Sequence, residues 1–99
     1  MIKLLLTISI ISLITISCSI SKTKLSSDGQ EVKILSKAEK SKCSTIDKVI
    51  GLNEKGSDDL AQNHARNLAA SLDGNAIFFD EMVSSGNMVK AFATVYDCK

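Results

Sequence analysis

Proline and tryptophan are absent from these 99 residues, histidine and tyrosine occur once each, and phenylalanine three times. So few rings leave no material for a groove on which bases stack, and 12 Lys and Arg against 11 Asp and Glu leave no basic face, so nucleic acid is excluded as a partner. The single histidine, His64, has neither the ligand cluster of a zinc site nor a nucleophile to serve. No glycine-rich phosphate loop, H-E-x-x-H or G-x-S-x-G occurs. These absences point away from an enzyme, and no catalytic, cofactor-binding or metal residue is assigned. Charge is also missing from Leu4 to Ser21.

That uncharged run is the first thing the chain does have. Lys3 precedes Leu4-Leu-Leu-Thr-Ile-Ser-Ile-Ile-Ser-Leu-Ile-Thr-Ile16, then the small Ser17 and Cys18. The pattern is a signal sequence ending at a cysteine. It resembles a bacterial lipoprotein signal, in which the cysteine after a small residue is lipidated and becomes the mature N-terminus. An ordinary secretory signal and a retained membrane anchor are the alternatives. Seven of the eighteen positions from Leu4 to Ser21 are Ser or Thr, which disfavours a spanning helix. Ser19 stands where an Asp would mark inner-membrane retention, so the resemblance implies an outer-membrane lipoprotein anchored through Cys18 by several acyl chains.

Residues 1–17 are thus expected to be the signal peptide and 18–30 a lipidated N-terminus with a short polar tether. Residues 31–99 are expected to form one small domain. Without Lys3, eleven basic residues balance eleven acidic ones. Such a domain needs a covalent staple, and the two remaining cysteines, Cys43 and Cys98, are expected to pair in an oxidising compartment. No C-x-x-C supplies a resolving thiol, so the pair is read as structural.

Glu31–Leu35 reads as a first strand, 36–42 as a charged loop whose lysines are solvated, and Thr45–Leu52 as a second strand. Gly51 there predicts a bulge or a close backbone approach. Ala61, Ala65, Leu68, Ala69 and Leu72 share one face of a helix over 57–73, flanked by Leu60 and His64. Ser57, Asp58 and Asp59 open that helix and Gly74 ends it. Asn75–Val83, a turn at Ser84–Asn87, and Met88–Cys98 make a hairpin, with Val89, Ala91, Ala93 and Val95 alternating against Lys90, Phe92, Thr94 and Tyr96. The expected fold is α+β, in the order β-β-α-β-β, with an antiparallel sheet covered on one face by one helix. Asp80 and Glu81, as strand neighbours, are expected on opposite faces, and Arg66 and Asn67 on the outer helix face, solvated or partner-facing.

The run Ala65-Arg-Asn-Leu-Ala-Ala70 followed by Leu72-Asp-Gly-Asn-Ala-Ile77, with Cys43 before the second strand and Cys98 near the end, resembles small Gram-negative envelope lipoproteins of unknown function. More distantly it is similar to the RcsF-like outer-membrane lipoproteins, which sense envelope stress. The resemblance implies a non-enzymatic domain that meets another envelope protein at the membrane surface. The alternative is a soluble secreted inhibitor or binding module released by ordinary signal cleavage, with Cys18 left as a free thiol.

Overall fold

A computed structural model describes residues 23–99; the leader and Cys18 lie outside the described residues. In chain order the elements are a short helix α1 (Ser27–Gln30), strand β1 (Lys33–Ile34), a 3-10 turn (Lys40–Lys42), β2 (Ser44–Asn53), helix α2 (Asp58–Ser71), β3 (Ala76–Ser85) and β4 (Met88–Asp97). The four strands form one sheet in the order β1-β3-β4-β2. The fold is the expected small α+β domain, stapled between Cys43 and Cys98.

The sheet is mixed rather than wholly antiparallel. β2 and β3 both run antiparallel to the central β4, but β1 lies parallel to β3, opposite Ala76 and Ile77. β1 and β2 therefore occupy opposite edges, and residues 35–43 must cross the sheet between them. They cross on the side away from α2, burying Leu35 against Ala76 and Tyr96. Alternation in 31–35 survives with one change. Val32 packs with the helix-side core and Leu35 on the far side, while Ile34, at the margin of the sheet, stays exposed.

α2 begins as its sequence dictates: the Ser57 hydroxyl accepts from the Leu60 amide, and Asp58 and Asp59 place negative charge in the first turn. At its far end Asp73 takes the left-handed conformation (φ 61), and the amides of Asp73 and Gly74 bond to Ala70 and Ala69. The left-handed turn that ends the helix thus falls at Asp73, just before Gly74. α2 rests mainly on β2 and β4. Ala61, Ala65 and Ala69 are fully buried, whereas Leu68 is half-buried and Leu72 exposed, which corrects the broader face expected from spacing. The reason is proximity. A Cβ on Gly51 would stand 2.0 Å from the Ala61 carbonyl oxygen and 2.7 Å from the Ala65 nitrogen, so the helix backbone nearly touches β2 there. Gly51 is a close-approach site, and the bulge in β2 falls instead at Ile46, between Thr45 and Asp47.

On β4, Val89, Ala91, Ala93 and Val95 are all buried under the helix. The largest fully buried side chains are only Ile77, Val32 and Val95. A core of that size needs the disulfide, whose 55-residue span restricts the unfolded chain by about 4 kcal/mol in the loop-entropy account. The hairpin from β3 to β4 turns on Gly86 and Asn87 alone, because β3 continues through Ser85.

The tether expected over 18–30 is shortened by a structural finding: residues 24–30 pack on α2. Ser26 caps α1, and Gly29 is buried so close to α2 that a Cβ there would stand 2.3 Å from the Asn67 side-chain oxygen.

Candidate interaction surface

Three regions of the surface carry the polar and apolar groups that the sequence singles out. The first is the N-terminal clamp. Asn67 accepts from the Ser26 amide (2.9 Å) and hydroxyl (3.0 Å), and its Nδ2 donates to the Lys24 carbonyl (2.8 Å). From the preceding residue, the Arg66 guanidinium donates from Nη2 to the carbonyls of Gln30 (3.1 Å) and Val32 (3.0 Å). Both residues, expected to be solvated or partner-facing, instead hold the chain's own N-terminal segment. The cause is that residues 24–32 travel alongside α2 and bring backbone groups that these side chains satisfy.

The second is the disulfide corner. Cys43 and Cys98 are joined with a Cα separation of 4.5 Å. Asn75 fastens the same corner, donating to the Cys98 carbonyl and accepting from the Cys98 amide, each at 2.7 Å. The crossing segment is not a solvated loop. Ser36 and Glu39 bond reciprocally, the Ser36 amide to Oε1 (3.0 Å) and the Glu39 amide to Oγ (3.4 Å), which is a capping box. Glu39 also takes Lys33 Nζ at 2.8 Å. The Lys33 hydrogen bond, with the Ser36 amide and hydroxyl, lowers the Glu39 pKa from 4.5 to about 2. Lys40 lies over the Phe78 ring, 4.1 Å from its centroid. One of the three lysines read as solvated, Lys40, therefore has a partner, and the strand residue Lys33 has another. The signal for this turn, Ser-x-x-Glu at 36–39, is present in the sequence.

The third region is the sheet itself. Beyond the crossing segment its outer face is open, with Ile50 45 % exposed opposite a half-buried Phe92. A shallow groove of about 440 Å³ runs here, lined by Lys48, Ile50, Asp80, Glu81 and Phe92 among others. A bulge between Phe79 and Glu81 changes the expected placement of the two acids. Asp80 accepts from the Thr94 hydroxyl (2.7 Å), and Glu81 sits opposite Phe92, a neighbour of Thr94 on the same face. The two carboxylates therefore share one side of the sheet, because an inserted residue shifts the alternation.

The edge at β2 is closed chemically. The Lys48 amide bonds to the Asp47 carboxylate (2.8 Å), and the Leu52 amide to Nδ1 of His64 (2.9 Å). His64 thus faces the strand edge as an acceptor. Asn53 opens the turn that the sequence places at 53–56; it is buried, and its Oδ1 takes the amides of Lys55 and Ser57, fixing the turn into α2. An Asn at the head of the Asn-Glu-Lys-Gly stretch is the readable signal. Among the described residues no group of three His, Cys, Asp or Glu is placed to hold a metal ion. Comparison of the chain with models of protein families, with characterised proteins and with solved structures finds no match.

Proposed function

We propose that this protein is a non-enzymatic lipoprotein of the bacterial envelope, anchored in the outer membrane through Cys18, whose small domain binds another envelope protein in sensing or assembly. The observation that carries the reading is the leader ending at Cys18, joined to a domain stapled by a disulfide. A disulfide persists in an exported protein, and a cysteine directly after a small residue at the end of an apolar leader is an acylation signal. The N-terminal clamp adds a spatial argument. Because Asn67 fixes Lys24, only residues 19–23 separate the lipidated cysteine from the folded body, a reach of roughly 20 Å. A domain held that near the membrane meets partners that are themselves membrane-bound or lie against it. The sequence resemblance to RcsF-like lipoproteins supports the same reading.

Intact mass of the mature protein from cells, with and without reductant, tests it. Three acyl chains on Cys18 and a gain of about 2 Da on reduction are expected. An unmodified N-terminus would instead support the soluble secreted module.

A further inference from the structure

We infer that the free edge of β3 pairs with the same edge of a second copy of this chain. This deepens the interaction-module reading and rests on it for the two copies being held at one surface.

The edges of the sheet are unlike. On β2 a bulge at Ile46, the Asp47 bond to the Lys48 amide, and the His64 bond to the Leu52 amide obstruct an added strand. On β3, β1 covers only Ala76 and Ile77. β3 has a bulge of its own at Asp80, between Phe79 and Glu81, so its regular uncovered stretch is Glu81 to Ser85, and no strand lies alongside that stretch among the described residues. The register identifies the groups left over. Lys48 and Leu52 turn their amides away from β4, so the odd-numbered residues of β4 bond to β2 and the even-numbered ones to β3. Glu81 and Val83 accordingly bond to Phe92 and Lys90, and Met82 and Ser84 present N–H and C=O outward. Neither proline nor lysine interrupts this stretch.

The edge is its own complement. In an antiparallel arrangement about a two-fold axis at Val83, Met82 of one copy faces Ser84 of the other, and all four outward amides meet outward carbonyls. The two Val83 side chains lie against each other on the outer face, and Glu81 meets Ser85 of the second copy, so no like charges are opposed. The eleven basic and eleven acidic residues left without Lys3 leave little repulsion between copies, and a shared membrane raises their effective concentration.

Sedimentation velocity on the intact mature protein in detergent tests this. A monomer–dimer equilibrium is expected, weakened about tenfold or more by Ser84→Pro and unchanged by Lys48→Ser on the other edge. Proline at 84 removes an amide that β4 does not use, so the thermal midpoint should stay near wild type. Hydrogen exchange on the unaltered protein is the second measurement, with concentration-dependent protection of the Met82 and Ser84 amides expected. A monomer at every concentration, or a dimer indifferent to Ser84→Pro, overturns the inference. So does protection of those amides in intact envelopes but not in the purified protein, because the occupant is then a different protein. An acylated monomer sinks this inference alone, and an unacylated dimer sinks only the anchoring reading.

Discussion

Ile50 and Gly51 are neighbours on β2, yet they belong to two surfaces with different physics. Gly51 faces α2, where alanines and a missing side chain bring backbone against backbone. Ile50 faces the other way, opposite Phe92, on a face that the crossing segment covers only at the disulfide end. The first surface is tight and intolerant of volume; the second is fastened at one corner and open elsewhere. Stability is concentrated on the helix side and at that corner, which leaves the open face and the β3 edge free to vary.

Adding volume on the closed side should have the largest effect. Gly51→Val forces β2 and α2 apart and is expected to destabilise by more than about 4 kcal/mol in urea unfolding, with loss of the folded state an acceptable form of the same result. Next comes the fastened corner. Reducing Cys43–Cys98 should cost about 2–4 kcal/mol, seen as a lower denaturation midpoint in reductant, and a midpoint that does not move would remove the corner from the comparison. Asn67→Ala should cost about 1–2 kcal/mol, and hydrogen exchange should accelerate across residues 24–30 before it does in the sheet. On the open face, Ile50→Thr should cost less than about 1 kcal/mol, and a larger loss would mean that the outer face is packed after all.

The smallest effect is local and depends on pH. Glu39 is held by Lys33 and Ser36 with its pKa lowered to about 2, so its attachment of the crossing segment is complete above pH 4.5 and fades as the pH falls from there through about 2. Titration of the Glu39 carboxyl resonance should show that low midpoint, and a midpoint at the ordinary 4.5 would mean that the capping turn does not persist in solution.

Much of this architecture was legible. Ala61, Ala65 and Ala69 announced a helix lying close on a sheet, Gly51 announced a bulge or a close approach, of which the structure has the second, and the alternation along β4 was correct residue by residue. The leucines misled. Leu68 and Leu72 share the spacing of the alanines, but a helix seated this tightly buries its small residues and leaves longer ones at the rim. Alternation in 31–35 specified an extended segment without naming its neighbour, so the parallel pairing with β3 was invisible. The clamp made by Arg66 and Asn67 was hidden for a related reason. Those side chains look like surface residues until the path of 24–32 is known. The capping box at Ser36–Glu39 was readable and was masked by the density of lysine around it.

Local chemistry and covalent possibility were settled by residue order alone: which segments extend or coil, where α2 starts, that Cys43 and Cys98 are available to pair, and that an uncharged apolar run ends at Cys18. Those properties depend on near neighbours and on the inventory of side chains. Tertiary structure decided everything that requires two distant segments to meet. It set β1 parallel at one edge and β2 at the other, turned Arg66 and Asn67 inward onto the N-terminal segment, put Asp80 beside Glu81 on one face, and, among the described residues, placed no strand beside β3 beyond Ile77. Strand order is chosen by the packing of the whole domain, because an alternating segment can satisfy its backbone against any strand that reaches it.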